Sequence, residues 1–257
     1  MNKHNYILKP SLLKLLILIL VVFSCSDNKK DIQVAVAANF ASTMKEIVDS
    51  FKVHVPDAGI KIVHGSSGKL TGQILNGADF DIFLSADLAK PEILYEKGFT
   101  KSKPVTYAFG SLVLFTKQDI KLSPDLSSIN DESIKHIAIA NPKLAPYGAA
   151  SIEAIKNAGI EIDTSKYVYG ENIIQTFQHI SLAADIGFIS KSLIYQGNTT
   201  GEFIEGKHWV EVDTSLYSPI KQAMIILNDE SAEVVKLYDY IQSDEAKKIM
   251  IKKGYTF

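Results

Sequence analysis

Short apolar runs and longer amphipathic stretches take turns along most of this chain. Segments 32–38, 60–63, 78–84, 111–116, 136–140, 167–169, 185–189 and 220–227 read as strands, most of them too apolar to keep a solvent face. Between them the spacing changes to three and four: Met44, Ile47, Val48 and Phe51 share one face of a helix over 40–54. Further helices are predicted over 69–75, 91–97, 149–158, 172–182, 231–242 and 244–252, with Gly98 and Gly159 as stops. Segment 119–133 reads as loop. Strands alternating with helices predict an α/β fold. The element order predicts two lobes, one from 31–108 plus 229–257 and the other from 109–228. No repeat of 20–50 residues interrupts this pattern.

The first 24 residues follow another rhythm. Lys3, Lys9 and Lys14 precede or interrupt the apolar run Leu15–Phe23, too short for a comfortable membrane span. Segment 1–24 is therefore read as an export signal. It ends in Val22-Phe23-Ser24-Cys25, which resembles the lipobox of bacterial lipoproteins and implies lipidation at Cys25. Residues 25–30 would then tether an exported, periplasmic or cell-surface domain to a membrane. An ordinary cleaved signal is the alternative and leaves Cys25 a stray thiol.

Cys25 is the single cysteine, so an intrachain disulfide, a cysteine zinc site and a thiol nucleophile in the folded domain are excluded. The net charge of −2 becomes −5 once Lys3, Lys9 and Lys14 are removed. With no basic stripe, nucleic acid is not an expected partner. The chain has no arginine, so an anion site must be built from backbone N–H groups, hydroxyls, amides or lysine.

Two strand–loop–helix junctions have that character. One runs through Ala37-Ala38-Asn39 into the first helix; the other is Gly65-Ser66-Ser67-Gly68-Lys69-Leu70. The first turn of a helix leaves backbone N–H groups unpaired, and the helix dipole favours an anion there. Asn39, Ser66 and Ser67 could equally be plain helix caps. Gly65 and Gly68 favour the ligand reading, because they let backbone approach closely. Tyr147, between Pro146 and Gly148, sits at another helix start. Lys69 could add charge near the anion, although a lysine in a first helix turn is usually solvated.

Five motifs then occur in order: Ala37-Ala-Asn-Phe40, Gly65-Ser-Ser-Gly-Lys-Leu70, Phe80-Asp-Ile-Phe-Leu-Ser-Ala-Asp87, Asn141-Pro-Lys-Leu-Ala-Pro-Tyr-Gly148 and Asp185-Ile-Gly-Phe188. In this order, and with the ending Lys253–Phe257, the chain resembles the periplasmic molybdate-binding proteins of molybdate ABC importers. The resemblance implies a type II periplasmic binding-protein fold with an oxyanion held between two lobes. It carries the anion-binding role to Asn39, Ser67 with its neighbour Ser66, Tyr147, the backbone N–H of Ile173, and Ser190. It implies molybdate or tungstate as ligand, no direct protein ligand to the metal atom, no cofactor, an ABC permease as partner and a monomer.

A site made only of donors would suit such a dianion. Phosphate near neutral pH carries a proton and would find no acceptor; sulfate is smaller and would be reached poorly. Sulfate or thiosulfate binding remains an alternative solute. A lipid-anchored serine hydrolase with Ser67 as nucleophile is a remote one. Gly65–Lys69 lacks the spacing of a P-loop, with Val63 and Leu70 at positions that need Gly and Ser or Thr, and Lys69 breaks the nucleophile-elbow pattern. The six histidines form no metal-ligand pair. His64 beside the serines is a conceivable base. Asp79, Asp81 and Asp87 are read as exposed or capping.

Overall fold

The computed structural model describes residues 30–197 and 201–257. The expected signal, the tether and Cys25 lie outside the described residues, apart from Lys30. Segment Ile32–Phe257 forms one compact unit built on two five-stranded mixed sheets.

The first sheet has the order β2-β1-β3-β10-β4, from β1 (Ile32–Ala37), β2 (Ile60–Gly65), β3 (Ile82–Leu84), β4 (Val105–Gly110) and β10 (Ile220–Ile226). Here β1 pairs in parallel with β2 and β3, while β10 runs antiparallel to β3 and β4. The second sheet has the order β7-β6-β8-β5-β9, from β5 (Leu112–Phe115), β6 (Ile137–Ala140), β7 (Tyr167–Gly170), β8 (Ile186–Ser190) and β9 (Trp209–Glu211). Its central strands β5, β6 and β8 are wholly buried. That is why they read as unbroken apolar runs rather than alternating ones.

In the first lobe the helices are α1 (Ala41–His54), α2 (Ser67–Leu75) and α3 (Ala89–Glu96). In the second they are α4 (Pro146–Asn157), α5 (Ile173–Leu182) and α6 (Lys191–Gly197). The last two helices, α7 (Ala232–Ile241) and α8 (Asp244–Lys252), return to the first lobe. Val234, Leu237, Ile241 and Met250 join Phe40, Met44, Ile47 and Phe51 in one buried cluster. The second sheet has its own cluster around Phe115, Ile139 and Phe188.

The chain crosses between sheets at Ser111 and again between β9 and β10. The second crossing differs from the expected boundary. Strand 220–226, assigned by order of elements to the second lobe, lies in the first sheet, because its partners are Ile82–Leu84 and Val105–Gly110. Strands β4 and β9 and helix α6 were not anticipated. The predicted strand 78–84 shrinks to Ile82–Leu84. Asp81 just before it is buried, not exposed: its carboxylate accepts from Gln33 N–H at 2.7 Å and from Asn228 Nδ2 at 2.8 Å.

Candidate functional site

Four helical starts meet at one small, tightly closed cavity. The first lobe contributes Ala37–Asn39 and Gly65–Ser67, with Ala86 beside them; the second contributes Ala145–Tyr147, Asn172 and Ile173. Asn39 lies in a single 3-10 turn, Ala38–Phe40, that joins β1 to α1. Ser66 and Ser67 start α2. Tyr147 is the second residue of α4, behind Pro146. Ile173 is the first residue of α5. Each start brings unpaired N–H groups and the positive end of a helical dipole.

The serines are not caps. Ser66 occupies the N-cap position of α2 with extended backbone, yet its side chain makes no capping bond. Its Oγ is buried with no hydrogen-bond partner. Such a group carries a desolvation cost that a ligand can relieve. Ser67 Oγ accepts from Ala86 N–H at 3.0 Å. With that lone pair taken, the Ser67 hydroxyl still has its proton to give. At α5 the capping is done by Asn172, whose Oδ1 accepts from Ile174 N–H and Gln175 N–H at 3.0 and 3.1 Å. The cap passes over Ile173 N–H, the first donor of the helix.

Tyr147 is buried, and its hydroxyl accepts from Gln222 Nε2 at 3.1 Å. Burial raises its pKa well above the ordinary phenol value of 10.0, so it stays a protonated donor. Tyr107 and Tyr255 are raised for the same first cause, burial. Gly110 at the crossover leaves room for this arrangement: a Cβ there would stand 2.0 Å from Tyr147 Oη and 2.5 Å from Gln222 Nε2.

Asn39 is beside the cavity but its side-chain amide is committed elsewhere. Nδ2 donates to Gln222 Oε1 at 3.0 Å and to Tyr255 Oη at 3.1 Å. Only the backbone N–H of Asn39 remains in the role of anion donor. Ser190 is not brought to the cavity. It ends β8, fully buried, with its Oγ 2.9 Å from Ser192 Oγ, which donates to the Asn39 carbonyl at 3.1 Å. The expected contact at Ser190 is thus replaced by support behind Asn39. Gln222 and Tyr255 were missed; a lone glutamine inside the apolar run 220–227 was the available signal.

The two lobes are also bonded directly to each other. Gly68 N–H donates to the Leu144 carbonyl at 2.9 Å. Lys69 Nζ pairs with Glu171 Oε1 at 2.6 Å, both half exposed. Lys69 therefore bridges the lobes instead of standing free in water. His64 is exposed on β2, and the Ser67 hydroxyl is bonded to a backbone N–H rather than to a base. A nucleophile needs a base in reach, so this geometry gives the hydrolase reading no support. Among the described residues no cluster of three or more His, Cys, Asp or Glu could hold a metal ion, and no helix is long and apolar enough to cross a membrane.

The model of the family described as bacterial extracellular solute-binding protein matches residues 32–256. A molybdate-binding protein, ModA, of Azotobacter vinelandii is 36% identical over 242 residues, covering 91% of this chain and 93% of that protein. The ModA of Rhodobacter capsulatus is 34% identical over 227 residues, 86% of each. The solved structure of the Azotobacter vinelandii periplasmic molybdate-binding protein superposes with a TM-score of 0.79 at 28% identity, covering 88% of this chain and 99% of that one.

Proposed function

The chain belongs to the bacterial extracellular solute-binding proteins, and we propose that its solute is molybdate or tungstate, delivered to an ABC permease for import. The observation that carries this reading is the buried, unpartnered Ser66 hydroxyl facing a cavity ringed by helical starts. A desolvated dianion needs several hydrogen bonds, and those to charged groups are the stronger kind. Ser66 Oγ, Ser67 Oγ, Tyr147 Oη and the N–H groups of Asn39 and Ile173 would supply them, from both lobes and without a buried cation. The relatives named for molybdate favour this solute over sulfate or thiosulfate. No catalytic step is proposed.

Thermal unfolding of the purified full-length protein tests the reading, with molybdate, tungstate, sulfate and phosphate each in turn. A ligand at a thousand times its Kd adds about 4 kcal/mol, roughly 8–16 °C for a domain of this size. A rise with molybdate and tungstate alone is expected; a rise with sulfate alone would move the assignment to the second solute class. No rise with any of the four would end the oxyanion reading. We propose further that the protein works outside the cytoplasmic membrane, anchored by lipid at Cys25. Cys25→Ser should then shift it from the membrane to the soluble fraction; an unchanged fraction would reject the anchor.

A further inference from the structure

Behind the cavity runs a chain of buried hydrogen bonds whose direction is fixed from one end. Tyr255 Oη lies 2.9 Å from the Asn39 carbonyl oxygen. A carbonyl only accepts, so the Tyr255 proton points there. The Asn39 side-chain atom 3.1 Å from the same hydroxyl must therefore donate, and it is Nδ2. The other proton of Nδ2 meets Gln222 at 3.0 Å, so the Gln222 atom at that contact is the accepting Oε1. Tyr107 Oη stands 3.0 Å from the same Oε1 and 3.1 Å from the Ser85 carbonyl; with one proton for two acceptors, it does not by itself fix the Gln222 amide. The Asn39 contact turns that amide with Nε2 toward Tyr147 Oη at 3.1 Å. The strand irregularity between Gln222 and Ala223 is the kind of local kink that re-aims a side chain.

We propose that Gln222 is a specificity-determining positioning residue. Through Tyr255, Asn39 and Gln222, the Asn39 carbonyl locks the Tyr147 hydroxyl as a donor toward the cavity, so the site takes fully deprotonated dianions and rejects oxyanions that keep a proton. The proposal rests on the oxyanion reading above. Asn39, Gln222, Tyr147 and Tyr255 are all at most 2% exposed, so water does not compete for these bonds. A ligand such as hydrogenphosphate must place its own O–H against an acceptor, and the Tyr147 lone pair is already taken by Gln222. An unpaired proton in a desolvated site is penalised.

The test is the ratio of hydrogenphosphate Kd to molybdate Kd, measured by calorimetry on the full-length protein at one pH. Gln222→Glu replaces the donating amide by an acceptor, which draws the Tyr147 proton away from the cavity. The ratio should shrink by about tenfold or more, the worth of a bond to a charged group. Added negative charge alone weakens both dianions alike. In a Tyr147→Phe background, Gln222→Glu should therefore leave the ratio where Tyr147→Phe alone puts it. An unchanged ratio in the single variant, or the same shrinkage in both backgrounds, overturns the proposal. If Gln222→Glu does not melt cooperatively, Tyr255→Phe serves instead. It removes the fixed end of the chain and lets both amides turn over, so the ratio should again narrow, and a constant ratio overturns the proposal. Wild-type protein that binds no molybdate would reject the solute itself; wild-type binding with an unmoved ratio rejects only the role of Gln222.

Discussion

Two adjacent serines do different jobs, and removing each should show it. Ser66→Ala deletes a buried hydroxyl that has no partner, so unfolding free energy should not fall, while oxyanion binding weakens by about 1–3 kcal/mol. Ser67→Ala also strips Ala86 N–H of its acceptor, so binding and unfolding free energy should both fall, each by about 1–3 kcal/mol. Parallel melting and titration of the two variants check the contrast; equal melting losses would contradict it. The buried phenols give a pH signature. Tyr107, Tyr147 and Tyr255 have pKa values raised above 10.0 in the folded chain. Their contribution is complete below that value and is lost as pH climbs through it, because the unfolded phenols ionise first. The melting temperature should therefore drop as pH passes about 10, and less so in Tyr255→Phe. At this scale the sequence was half legible. Ser66, Ser67, Tyr147 and Ile173 are marked by glycines, a proline or a helix start. Ser190 carries no mark separating a strand-end donor to ligand from one turned to a neighbour. Gln222 acts through partners 183 and 75 residues away along the chain.

Elements hold the donors in register. Asn172→Ala removes the acceptor of Ile174 N–H and Gln175 N–H. The loss should be about 1 kcal/mol of stability, with weaker oxyanion binding as the first turn of α5 frays around Ile173; hydrogen exchange at Ile174 and Gln175 would report the fraying. Gly110→Ala would push a methyl onto Tyr147 Oη and Gln222 Nε2. A cost of about 1–3 kcal/mol is expected, read from denaturant midpoints. The elements that sequence pattern missed are those without punctuation. Strand β4 leads into β5 through Ser111 alone, so no turn signal separates them, and Val105 and Thr106 are exposed. Strand β9 has only three residues, too few for a period. The long buried strands and capped amphipathic helices were legible because local pattern and tertiary burial agree there.

For the whole molecule, the bonds that span the lobes decide how the cavity closes. The Gly68–Leu144 and Lys69–Glu171 bridges join residues that flank the cavity lining in sequence. The ion pair is half exposed, so Lys69→Ala should change oxyanion affinity by no more than about 1 kcal/mol. It should also enlarge the ligand-free radius of gyration in small-angle scattering and leave the saturated one unchanged. An affinity loss of tenfold or more would mean Lys69 touches the anion. The lobe boundary was the least legible feature, since sheet membership of 220–226 depends on partners far away in sequence. That placement of β10 also orders events during synthesis. Strands β5–β9 are continuous in the chain and can complete their sheet as soon as residue 211 is available. The sheet begun earlier by β1–β3 stays split, because β10 must enter between β3 and β4. Such distant pairing is slow to form. The half of the protein made first therefore finishes folding last, and a nascent chain keeps that half open until nearly its whole length has emerged.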